Sequence, residues 1–156
     1  MEFDAKAFMR QQFQPRQESV EVPGLADWFK GNGDEPCIFT VRGMTSSELA
    51  RTHEAVAKVK NFDSVIQAIS NSKETVKELK AALGVSDDTP ADIVKRLEQL
   101  VICSVSPKIE IQVAVKLAEA FPIEFYTLTN KIVMLTGMGM DIKKPQGSGA
   151  TQPSGT

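Results

Sequence analysis

At Gly43 the chain changes its hydrophobic period. Over 37–42 the residues CIFTVR alternate, with Phe39 and Val41 on one side, as a half-buried strand requires. From Thr45 onward apolar residues recur at helical spacing. Thr45 and Glu48 stand three apart, so each side chain can satisfy the other's orphan backbone N–H in a capping box. The spacing predicts a strand that stops at Gly43 and a long helix with Leu49, Val56, Val59, Phe62, Ile66 and Ile69 on one stripe, with room for a bend near Asn61. His53, the only histidine, falls between Leu49 and Val56. With no second histidine and no nucleophile motif to pair with, it reads as a half-buried structural ring.

Upstream, residues 18–22 also alternate, with Val20 and Val22 on one face, and Pro23-Gly24 ends them. An antiparallel pair with 37–42 follows, its apolar face covered by a helix, because two strands alone are marginal in water. The connection holds Leu25, Trp28 and Phe29 before the turn-rich GNGDEP. The Trp28-Phe29 pair has two readings, folded back onto the strands or offered to a partner as an aromatic hot spot. Over 3–13 the residues Ala5, Phe8, Met9 and Phe13 share a helical stripe, with Asp4 as cap and Pro15 as stop. That stripe either docks on the chain's own core or enters a partner's groove.

The rest reads as helix. Residues 71–83 carry Val76, Leu79 and Leu83 beneath a charged, solvated face, with Gly84 as C-cap. Thr89 and Pro90 open a helix with Ile93, Leu97, Leu100, Val101 and Val105 inward. Ser106-Pro107 opens another, and 109–121 is apolar over more than half its circumference, which predicts a central helix or one buried in an oligomer. Pro122 breaks it. A last helix carries Phe125, Leu128, Ile132, Val133 and Leu135 and ends at Gly137 and Gly139. Met134, Met138 and Met140 cluster at its exit as core filler or as an adaptable sticky surface. Beyond it, KKPQGSGATQPSGT is too polar to offset its ordering entropy. The expected fold is mostly α (α+β), a bundle of about five to six helices with a small N-terminal two-stranded β element. The domain expected is 1–142, with a hairpin-like segment over 18–42 and a disordered tail over 143–156.

A chain of 156 residues closes one core without staples. Its 18 basic residues against 20 acidic ones give a net charge of -2, without the basic surplus of a sequence-independent nucleic-acid binder. Cys37 and Cys103 sit in separate apolar runs and read as buried hydrophobes in a reducing compartment rather than as a disulfide. Asp4, Lys6 and Arg10 interrupt any signal-peptide core, and no apolar window is long enough to span a membrane. Neither GxGxxG after a strand nor GxxxxGK[ST] occurs, and Asp87-Asp88 lacks partners for a metal. A helix-turn-helix outline around Gly84 has acidic helix starts that would repel phosphates. These residues lead us to expect no catalytic centre, no metal site and no cofactor.

The ordered series of an amphipathic N-terminus ending in FQPR, the strand over 18–22, the Trp28-Phe29 loop, the TVRGMT-x-x-ELA run, a helical body and a Gly-rich end resembles the tail assembly chaperones of long-tailed bacteriophages. The resemblance covers most of the chain by order of elements and is sharpest at TVRGMT-x-x-ELA. It implies a non-enzymatic protein of the host cell cytoplasm, absent from the mature virion. Such a protein binds the tape measure protein, keeps it soluble and helps recruit tail tube subunits. It also implies a homo-oligomer and, in many members, a longer product made by ribosomal frameshifting, for which the Lys143-Lys144 codons are suitably placed. The partner contacts expected on this basis are Phe8, Phe13, Trp28, Phe29, Arg42, Met138 and Met140. The competing expectations are a tail or connector component retained in the particle and, more weakly, a small helical DNA-binding regulator.

Overall fold

A computed structural model of the chain describes residues 1–31, 33–69 and 91–144, and for 58–69 the backbone alone. The helix expected over 71–83, the Asp87-Asp88 loop, the Thr89-Pro90 cap and residues 145–156 of the tail expected over 143–156 lie outside the described residues. The fold is α+β, as expected, with helices packed on a small antiparallel sheet.

The sheet grows from the two alternating segments. Strand β2 (Gln17–Glu21) pairs antiparallel with β3 (Ile38–Arg42), placing Val20 opposite Phe39 and Glu18 opposite Val41. The period of two turns Val20, Phe39 and Val41 inward, and all three are buried. Glu18 shares that face but lies at the sheet edge, where Lys131 donates to it at 3.0 Å. A third strand, β4 (Ser104–Ser106), completes the sheet on the other side of β3. Residues 104–106 lie inside what the periodicity assigns to helix, so Val105 is a strand residue and not an inward helical one. A separate ribbon joins β1 (Phe13–Gln14) to β5 (Asp141–Ile142), with Phe13 opposite Ile142.

Helix α2 (Ser46–Ile69) begins at the expected capping box: Glu48 N–H donates to Thr45 Oγ1 at 3.2 Å, and Thr45 N–H donates to Glu48 Oε1 at 3.0 Å. Its described buried side chain is Thr52, while Leu49 and His53 are exposed and Val56 is half-buried, so Leu49 does not lie inward as expected; the side chains of Val59, Phe62, Ile66 and Ile69 lie outside the described ones. His53 is therefore a surface ring. Helix α3 (Ala91–Cys103) packs against α2 and buries Val94, Leu97, Leu100, Ile102 and Cys103. Helix α4 (Ile111–Ala120) starts later than Ser106-Pro107 and fully buries only Ala114 and Leu117. It is peripheral, not central, and Val113 faces solvent. The central helix is α5 (Pro122–Gly137), with Pro122 in its first turn and Phe125, Leu128, Thr129, Ile132 and Leu135 buried along one side against β3, α3 and α4. Each large apolar side chain fully removed from water contributes about 1.5–3 kcal/mol, so this stripe adds several kcal/mol of cohesion. Thr129 is tolerated there because its hydroxyl donates to Phe125 O at 3.0 Å.

The N-terminus departs most from a self-docked reading. Helix α1 (Ala5–Arg10) is capped by Asp4, whose Oδ1 accepts from Ala7 N–H at 2.9 Å, yet it buries no residue. Phe13 belongs to β1 and not to this helix.

Candidate protein-binding groove

Residues 23–28 form a short 3-10 helix, Pro23–Trp28, rather than an open loop, and it splits the aromatic pair. Leu25 is buried beneath it. Phe29 folds back, its ring 5.9 Å from that of Phe39 on β3. Trp28 instead stays 66% exposed and stands edge-on to Phe121 at 5.2 Å. Phe29 thus follows the folded-back reading, and Trp28 is left open to solvent.

Between this 3-10 helix, the start of β3, the turn after β4 and one side of α4 runs a groove of about 860 Å³. Leu25, Phe39, Ile109 and Leu117 are buried residues on its floor, and Trp28 and Val113 are exposed members of its wall. Among the described residues, Lys30 and Lys116 are the charged ones that line it, with no carboxylate. An aromatic and aliphatic surface with so few polar groups has the composition of a protein-contact core.

The apolar residues over 109–121 lie on two sides of α4. One side of α4 meets the body through Ala114 and Leu117, and another, through Val113 and Lys116, is a wall of the groove. The periodicity flagged this helix as having more apolar surface than a single contact needs. Its pairing with Trp28 could not be foreseen, since the two sit some ninety positions apart.

The remaining expected contact residues fall elsewhere. Phe3, Phe8 and Phe13 stack in a row, with ring separations of 5.5 and 5.1 Å, and all three are exposed together with Met9. Phe13 continues this apolar row toward Ile142 across the β1–β5 ribbon. Met138 is exposed, whereas Met140 is half-buried and lines a second, more polar cleft with Gln14, Arg16, Asp141, Lys143 and Lys144. Arg16 pairs with Asp141 there. Met134 is also exposed, so Met134 and Met138 are surface residues and not core filler.

Arg42 is corrected from partner contact to internal clamp. Its Nη1 donates to Glu48 Oε1 at 2.8 Å and to Gly43 O at 3.0 Å, while its Nη2 donates to Glu48 Oε2 at 2.7 Å and to Ile102 O at 3.2 Å. The hydrogen bonds to Arg42 hold the Glu48 carboxyl at about 2, and the same bonds raise the Arg42 pKa. Nearby Cys103 is buried, and desolvation pushes its thiol up to about 12, which leaves it unreactive as a nucleophile. Cys37 is only half-buried, and both cysteines are free.

Among the described residues no group of three or more His, Cys, Asp or Glu side chains could hold a metal ion, and no helix is long and apolar enough to cross a membrane. Comparison of the chain with protein-family models, curated proteins and solved structures finds no match.

Proposed function

We propose that this chain is a non-enzymatic tail assembly chaperone of a long-tailed phage, one that holds the tape measure protein soluble in the host cell cytoplasm and helps recruit tail tube subunits. The reading starts from the order of elements and the TVRGMT-x-x-ELA run. The observation that supports it is the open apolar groove beside Trp28, whose floor is the outer side of the buried core. A holding protein needs such a surface: a long helical client presents apolar stripes, and a groove receives one helix face at a time. The exposed row of Phe3, Phe8 and Phe13 adds a second adaptable apolar surface.

Co-expression with the tape measure protein from the same genome tests this. The client should stay in the soluble fraction and co-purify with the chain, and it should precipitate when expressed alone. Failure of the chain to change client solubility would overturn the reading. Recovery of the chain from purified virions would favour a retained tail or connector component instead.

A further inference from the structure

We propose that the groove beside Trp28 selects an apolar, helix-forming segment flanked by carboxylates, so that the client site it recognises is acidic at its edges. This rests on the chaperone reading and specifies the chemistry of the bound segment.

The charge argument is local. The chain as a whole is slightly acidic, with 20 acidic and 18 basic residues, yet among the described residues the groove is lined by Lys30 and Lys116 and by no carboxylate. Both lysines are exposed at its edge, while the floor of Leu25, Phe39, Ile109 and Leu117 is buried. A ligand crossing it would meet apolar surface in the middle and positive charge at the sides. Low-dielectric walls focus such a field, so carboxylates flanking the apolar stripe are drawn in and lysines repelled.

Size and polarity point to a peptide segment rather than a metabolite. Apart from the lysines, the polar side chains in the lining are Ser106 and Gln112. Small-molecule sites bury most of their ligand's surface, whereas this groove is open to solvent along walls that include exposed Trp28 and Val113. Its volume of about 860 Å³ suits about two or three large apolar side chains on successive helical turns.

Trp28 is the only tryptophan, so its emission reports on the groove directly. The test titrates the full chain with two tryptophan-free peptides of about 15 residues, identical in a Leu stripe and differing in Glu or Lys flanks. The Glu-flanked peptide should bind about tenfold more tightly at low salt, with the gap narrowing as salt is raised. A Lys30→Glu, Lys116→Glu variant should reverse the preference while keeping its far-UV circular dichroism. Equal binding of the two peptides, or a preference that survives the charge reversal, would overturn the proposal. So would a concentration-dependent shift of Trp28 emission in the protein alone that vanishes on deleting residues 1–10, since that assigns the groove to the arm of a second copy. If the charge-reversed variant still keeps the tape measure protein soluble, the chaperone reading stands and the groove chemistry falls.

Discussion

Arg42 and Glu48, six positions apart, face each other through two parallel hydrogen bonds of 2.8 and 2.7 Å, joining the end of β3 to the first turn of α2. The same guanidinium reaches Ile102 O at the end of α3. Three elements therefore meet at one planar cation, whose fork geometry suits a carboxylate better than a lysine would. Replacing Arg42 with Ala leaves a partly buried carboxylate and a carbonyl without their donor. We expect a loss of about 2–4 kcal/mol, read as a lower urea midpoint with an unchanged slope.

The pair also sets a pH dependence. Glu48 titrates at about 2 in the fold against an ordinary 4.5, so the unfolded chain takes up its proton first as pH falls. Its contribution is fully present above about pH 5 and fades as pH drops toward 2, amounting to roughly 3 kcal/mol at most. Urea unfolding followed between pH 6 and pH 3 should show this decline, and Glu48→Gln should flatten it.

Gly43 is held by contact as well as by its place at the turn. A Cβ there would lie 2.9 Å from Thr136 N and 3.0 Å from the Leu135 carbonyl carbon. The neighbours are backbone and cannot swing aside, and Met44 N–H donates to Thr136 Oγ1 at 2.9 Å in the same place. Gly43→Ala should cost about 1–3 kcal/mol through forced separation of β3 from α5, measured as a lowered Tm.

The aromatic pair of the 3-10 helix should separate in mutagenesis. Trp28→Ala removes a ring that is mostly in water and should change stability by under about 1 kcal/mol while weakening client capture. Phe29→Ala opens the packing against Phe39 and should cost about 2–3 kcal/mol. Thermal melts alongside co-purification yields would resolve the two effects.

Because α1 buries nothing, deleting residues 1–10 should leave the Tm within about 2 °C. The same deletion removes exposed Phe3, Phe8 and Met9 and should reduce nonspecific adhesion, measurable as lower binding of a hydrophobic dye.

What could be read in advance follows the range of the interactions. The capping box was legible because Thr45 and Glu48 need only three positions and a helical turn to meet. The β2–β3 pair was legible because alternation marks both strands and one face of each is buried. Strand β4 was not, since Val105 continues the helical period of Leu97 and Val101, and only the distant partners Thr40 and Val41 pull it into the sheet. Periodicity located the apolar stripe of α1 but carries no information on whether anything covers it. The internal role of Arg42 was not legible, because its acceptors Glu48 and Ile102 are set by folding. For the groove, the apolar excess over 109–121 and the aromatic pair were each visible, but their adjacency is a tertiary fact.

The β1–β5 ribbon has a consequence for how the molecule can be extended. Phe13 pairs with Ile142, so the backbone goes into the folded body and comes out of it side by side. Lys143 N–H adds a bond to Gln12 O at 2.6 Å, closing the seam one step further. Anything fused after Lys144 therefore starts beside the aromatic arm. A short linker from Lys144 back to residue 11 should likewise permit a circular permutant with the arm removed, opened at the turn-rich stretch around Gly33, without disturbing the core.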